Sequence, residues 1–417
     1  MKPIGLKRGY RTPFVKMGRE YSRSNAVDLS VVLINGMIEK KDFPVEKVQH
    51  VIWGMVVADP NIYSIAREAV LGSRLDNRVE AYSVSRACAT SLQAAVNAVS
   101  FYNTFPDESS VTLVGGVESF SAARPVLTDK ASFFFKTWAG KEPVSRKLSV
   151  LFSTPPWELL PVPPSAKEYS TGLTMGEHCE LMVKQFRISR HRQDQLAFQS
   201  HKNAAAARDY IRSQLIFVGK ANRDTIIRDD TSEVALAQLQ PSFDRSSRGT
   251  ITAGNASPFT DGAAALYVVS PALESQIPPD AYMADFEFVG VEPKEGLLMG
   301  PGKAMLRLLQ RNRLRWNDLD YIEMHEAFAG QVLCNVDAVN SPIYRQKVYE
   351  VHYDAGTLDE GRLNPWGSSI SYGHPFGATG ARMLNQAVTY LQEKKREKAL
   401  LGVCTAGGLA GAALVIR

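Results

Sequence analysis

Apolar positions along the first 120 residues recur in two alternating periods. β-like runs at Val48 to Val57, Val79 to Val84 and Val111 to Val117 are separated by helical spacing at Ile65 to Leu71 and by a stretch that puts Leu92, Val96 and Val99 on one face. Strand and helix in turn imply an α/β layered unit. The order returns in the last third: a helix near Lys303 to Arg313, a strand from Leu319 to Met324, a glycine-rich stretch around His374 with its own helix, and a strand from Ala399 to Val403. The chain reads as two duplicated α/β halves, residues 1–120 completed by 246–272, and residues 273–417.

Residues 121–245 break the alternation. Ser132 to Trp138, Leu148 to Phe152 and Pro155 to Pro164 are apolar, proline-punctuated and poorly periodic, as expected of an inserted lid or interface. Met175 to Phe186 and Arg190 to Ile211 read as helices, the second capped by Ser189.

Composition narrows the function. With 417 residues, 45% hydrophobic content and a net charge of +5 from scattered basic residues, the chain has core enough for several units and no nucleic-acid groove, while an anionic substrate such as coenzyme A suits it. The four cysteines, Cys88, Cys179, Cys334 and Cys404, have spacings that fit neither a disulfide framework nor a zinc cluster. No charged-then-apolar leader opens the chain and no apolar run approaches the ~20 residues of a membrane span, so a cytoplasmic protein is expected.

Candidate chemistry sits where strands turn into helices. Cys88, in Ser85-Arg-Ala-Cys-Ala-Thr-Ser91, precedes a helix whose positive end favours thiolate over thiol. His325 lies in Met324-His-Glu-Ala-Phe-Ala329, His374 in Tyr372-Gly-His-Pro-Phe-Gly-Ala-Thr-Gly380 and Cys404 in Val403-Cys-Thr-Ala-Gly-Gly408. A sulfur nucleophile, a base and a second acid/base suit thioester chemistry. Taken singly, each has a plainer reading: small-residue packing for the cysteines, a loop cap for His374, a satisfied core histidine for His325. Superposing the halves puts Cys88 and His374 at equivalent helix starts facing one crevice. Cys179 and Cys334 read as structural, and His178 and His201 as solvated on polar helix faces.

Together with Thr252-Ala-Gly-Asn-Ala-Ser257, these stretches occur in the order of the thiolase family, which the chain resembles over nearly its whole length. His325, where most members carry asparagine, and Ala406, where most carry glycine, resemble the β-subunit of the trifunctional fatty-acid oxidation complex and its bacterial anaerobic counterpart. The resemblance implies a five-layer αβαβα core and a 3-ketoacyl-CoA thiolase, an acetyl-CoA C-acyltransferase. Cys88 would be the nucleophile, His374 its base and Cys404 the second acid/base. His374 with His325, and the backbone N–H groups of Cys88 and Ala406, would form two oxyanion sites. It further implies that Ser257, Ala253 and Leu239 line the pantetheine path and that Met175 borders the acyl tunnel.

Coenzyme A would be a co-substrate, with no tightly bound cofactor and no metal. The expected partners are a second copy of the chain and an α-subunit with enoyl-CoA hydratase and 3-hydroxyacyl-CoA dehydrogenase activities. The aromatic and basic residues of 131–165 would dock that subunit, touch the inner membrane peripherally, or cover the tunnel. A short-chain acetoacetyl-CoA thiolase and a non-catalytic scaffold are the competing readings.

Overall fold

The computed structural model describes residues 1–417. The strands are β1 (Ile4–Lys7), β2 (Val15–Lys16), β3 (Val48–Gly54), β4 (Glu80–Val84), β5 (Val111–Glu118), β6 (Thr260–Val269), β7 (Ala281–Gly290), β8 (Tyr321–Met324), β9 (Lys398–Thr405) and β10 (Leu409–Ile416). β3 pairs in parallel with β4 and β5, and β5 runs antiparallel to β6. The second half repeats the plan, with β9 parallel to β8, antiparallel to β10, and β10 antiparallel to β7. β1 lies between β6 and β7 and joins the halves into one hydrogen-bonded path. β5 and β6 are buried at every position, which is why they read as apolar runs without alternation.

Five layers follow from which faces are apolar. Helices α1 (Ala26–Lys40) and α2 (Ile65–Gly72) pack outside the first half, and the helices Gly300–Asn312 and Ala329–Asn340 outside the second. In the middle, α3 (Thr90–Thr104) lies against the helix Thr379–Glu393, and both are buried between the sheets. Glycine permits their approach: a Cβ at Gly380 would fall 2.4 Å from the Leu92 backbone nitrogen.

The inserted region is more regular than its sequence suggests. It forms α4 (Asp129–Ala139), capped by Thr128 accepting from the Ala131 N–H, and α5 (Val144–Ser153). The Phe133-Phe-Phe135 run puts aromatics on several sides of one turn and so masks the 3.6-residue period. α6 (Met175–Phe186) forms as expected, whereas the long helix that follows, α7 (Arg190–Ala206), ends at Ala207 and restarts as Arg208–Arg212. Ser189 does cap α7, accepting from the Arg192 N–H. His178 and His201 are buried rather than solvated, each 5% exposed; His178 Nε2 is 2.8 Å from Thr171 Oγ1, and His201 Nδ1 accepts from the Arg228 N–H. No helix is long and apolar enough to cross a membrane.

An ion pair ties the last part of the inserted region to the core. Arg11 and Asp224 are 1% and 2% exposed and meet in two hydrogen bonds of 2.6 and 2.7 Å, while Asp224 also accepts from the Phe14 N–H. Asp224→Ala strands a buried guanidinium, so it is expected to cost about 3–5 kcal/mol, read as a lower midpoint of denaturant unfolding. An unchanged midpoint would show that the pair is not structural.

Candidate active site

Cys88 sits on a tight turn between β4 and α3. Ala87 is held at φ 43°, a left-handed conformation costing about 1–2 kcal/mol for a residue with a Cβ. Thr90 stabilises it: its hydroxyl donates to the Ala87 carbonyl at 2.7 Å and accepts from the Arg86 N–H at 2.8 Å. The turn aims the sulfur into the crevice between the halves, where His374 Nε2 lies 3.1 Å away.

His374 reaches that point on a loop pressed against the first half. Gly373 takes φ 92°, and the His374 N–H donates to the Pro258 carbonyl at 3.1 Å. At Gly377 a Cβ would fall 2.5 Å from the Val117 carbonyl oxygen. Buried Glu118, at the end of β5, clamps the contact by accepting the N–H groups of Val56, Val57 and Gly377 at 3.2, 2.9 and 3.1 Å. Burial raises the Glu118 carboxyl to about 7 against those three donors.

The network fixes the His374 tautomer. Thr379 Oγ1 donates to the Pro375 carbonyl at 3.2 Å, so it accepts from Nδ1–H of His374 at 2.7 Å, which leaves a lone pair on Nε2 facing the thiol. Burial, reinforced by the positive charge of Arg382, lowers His374 to about 3, so the imidazole is neutral. Burial also pushes the Cys88 thiol up to about 12, although the N–H groups of Ala406 and Cys88 itself favour the thiolate. Burial and the helix start thus act in opposite directions on the Cys88 thiol, and the bare Nε2 is placed to take its proton.

His325 follows β8 and is fully buried, with Nδ1 2.9 Å from Ser369 Oγ and Nε2 without a partner. Its ring centroid lies 4.2 Å from that of His374. Burial and then the neighbouring His374 and Arg382 hold it neutral. Cys404, at the end of β9, is buried close enough to Cys88 for that thiol to oppose its ionisation, while the N–H of Ala327 points at its sulfur. Ala406 lies two residues further on, and the next N–H, of Gly407, donates to Glu168 from the inserted region at 2.8 Å.

The Cys88 sulfur and the ring nitrogens of His325 and His374 lie within 4.8 Å of one another. With one thiol as the only potentially anionic ligand and Arg382 already lending positive charge to both imidazoles, the set suits proton transfer better than cation binding.

The other sequence candidates lie on the 252–259 segment or on chain packed against it or against Phe328. The Ser257 N–H donates to the Ala327 carbonyl at 2.9 Å, which lays the 252–259 segment along the His325 stretch. Ala253 is exposed beside Gly254, whose missing Cβ makes room for Leu239, itself 37% exposed. Met175 is half-buried in the first turn of α6, next to Gly176 under the Phe243 ring, and Phe243 packs edge-on against Phe328. Cys179 and Cys334 are fully buried in the second-half core.

Sequence reasoning missed Glu118, Ser369, Arg382 and the Phe120–Phe259–Phe376 cluster beside His374, with ring centroids 4.8 to 5.6 Å apart. Glu118 carried a usable signal, an acid ending an apolar strand. Arg382 carried none, since an arginine in a helix is ordinarily solvated.

Residues 6–272 match the family model of the thiolase N-terminal domain and residues 277–417 that of the thiolase C-terminal domain. The chain belongs to the thiolase family. It is 36% identical over 424 residues to a 3-ketoacyl-CoA thiolase of Photobacterium profundum, covering 99% of this chain and 96% of that one. Among solved structures, an acetyl-CoA acetyltransferase of Bacillus anthracis aligns with a TM-score of 0.82 and 25% identity over 100% of this chain and 99% of its own. A thiolase of Ascaris suum in complex with coenzyme A shares the fold, with a TM-score of 0.81 and 23% identity over the whole of both chains. As a thiolase, this chain is an acyltransferase with coenzyme A as substrate.

Proposed function

We propose that this thiolase works in fatty-acid β-oxidation, cutting 3-ketoacyl-CoA with coenzyme A into acetyl-CoA and an acyl-CoA shortened by a two-carbon unit. The observation that carries the reading is the Cys88 thiol, 3.1 Å from a bare imidazole nitrogen and beside a second buried thiol. Cys88 passes its proton to His374 Nε2, and its sulfur attacks the 3-keto carbon. The bond between C2 and C3 then breaks, leaving an acyl thioester on Cys88 and the enolate of acetyl-CoA, which takes the Cys404 proton. Incoming coenzyme A returns a proton to Cys404 and attacks the thioester, and Cys88 recovers its own proton from His374. The unpartnered Nε2 of His325, with protonated His374, supports one oxyanion; the N–H groups of Cys88 and Ala406, both turned to the sulfur, support the other.

Phe120, Phe259 and Phe376 offer an apolar wall for the acyl chain next to the nucleophile, with the pantetheine arm running along Ser257, Ala253 and Leu239 and Met175 bordering the tunnel. CoA-dependent loss of 3-ketoacyl-CoA, measured across short, medium and long chains, is expected to be strongest on long ones. Activity confined to acetoacetyl-CoA would make the chain a short-chain acetyltransferase, and none from folded protein would leave it a scaffold.

We further infer a homodimer, since β4 is an edge strand whose Tyr82 and Ser83 are exposed. The two halves as bounded above and the insertion at 121–245 are the proposed domains. On α5 the apolar Val144, Leu148, Leu151 and Phe152 are all exposed, Phe152 by 85%, and α4 adds Phe133, Phe135 and Trp138. This uncovered face supports docking of a hydratase/dehydrogenase α-subunit, in the cytoplasm or against the inner membrane.

A further inference from the structure

A histidine at a donor post faces a problem that an asparagine does not. An amide always presents N–H, whereas neutral imidazole donates from one nitrogen and accepts at the other. Something must choose which nitrogen of His325 carries the proton, and the choice can be followed atom by atom.

Arg382, 1% exposed on the helix Thr379–Glu393, has only donors. One terminal nitrogen pairs with Glu323, and the other lies 3.2 Å from both Ser368 Oγ and Ser369 Oγ. Glu323 fixes the guanidinium in turn, since it also accepts from Tyr321 Oη at 2.6 Å and Ser368 Oγ at 2.8 Å. Ser369 therefore accepts from Arg382, and its single hydroxyl proton has one acceptor in reach, His325 Nδ1 at 2.9 Å. Nδ1 must then offer a lone pair, which puts the ring proton on Nε2, the nitrogen with no protein partner.

We propose that Arg382 and Ser369 are positioning residues that lock His325 with its proton on Nε2, so that it enters the reaction as a hydrogen-bond donor. The mirror arrangement holds the other ring, where Thr379 donates to Pro375 and leaves His374 Nε2 bare. Two imidazoles 4.2 Å apart thus carry opposite tautomers, one accepting from the thiol and one donating to the substrate oxygen. Were both bare, two lone pairs would face the oxyanion and oppose the charge they should support. The inference rests on the proposed oxyanion role of His325, and its test separates the two.

The test is Ser369→Ala in the full-length enzyme with 15N-labelled imidazoles. Of the seven histidines, His325 is assigned by the signal missing in His325→Asn. The parent is expected to show a protonated Nε2 and bare Nδ1, and Ser369→Ala a shift of the proton toward Nδ1. The kcat should fall about tenfold with little change in KM, and Ser369→Thr, which keeps the hydroxyl, should restore tautomer and rate. In the His325→Asn background Ser369→Ala should change kcat by less than about twofold, because an amide has no tautomer to select. An unchanged tautomer in Ser369→Ala, or an equal loss of rate in both backgrounds, overturns the proposal. A shifted tautomer with no rate effect from Ser369→Ala or His325→Asn supports the lock and sinks the oxyanion role.

Discussion

Replacing Cys88 by alanine is expected to lower kcat for thiolysis by on the order of 10^4- to 10^6-fold, the scale seen when a covalent nucleophile is deleted. The loss is chemical rather than structural. The strained turn at Ala87 is held by the Thr90 hydroxyl, and Cys88 is only half-buried, so removing one sulfur leaves the turn and α3 in place. Incubation with 3-ketoacyl-CoA alone should add an acyl mass to the parent and none to the variant, read by intact mass spectrometry. Turnover close to the parent's with no acylated species in either would take the nucleophile away from Cys88.

His374→Ala is expected to cost about 10^2- to 10^4-fold in kcat, the range for losing a positioned base, because no other group accepts the Cys88 proton at 3.1 Å. The resting state gives the loss a pH signature. With His374 lowered to about 3 and Cys88 raised to about 12, the imidazole is neutral and the thiol protonated across the physiological range. Alkylation of Cys88 by iodoacetamide should therefore rise steadily with pH and show no plateau between about pH 5 and 8. A plateau there would mean a resting thiolate–imidazolium pair and reverse the order of the first proton transfer.

How far the site could be read in advance depended on whether a residue's role is carried by its local setting. Cys88, His374 and Cys404 stand at strand ends or glycine-bounded turns, and those signals survive in one dimension. Helix α4 of the insertion did not, because Phe133, Phe134 and Phe135 surround one turn and hide its period. His178 and His201 differ from their sequence reading for the converse reason: the helices carrying them have polar faces, but the loops at Thr171 and Arg228 fold over those two rings.

What the amino-acid order determined by itself was the alternation of strand and helix, its repetition in the second half, and the placing of reactive groups at element ends, all consequences of side-chain period and turn chemistry. The tertiary structure decided the protonation chemistry. At Cys88, burial opposes the thiolate that the helix end visible in the sequence favours. Which nitrogen of His325 bears its proton depends on Arg382, 57 residues further along the chain and joined to it only through Ser369. Charge and tautomer are set by the low-dielectric surroundings and by which donors meet which acceptors, and neither exists until the two halves close on each other.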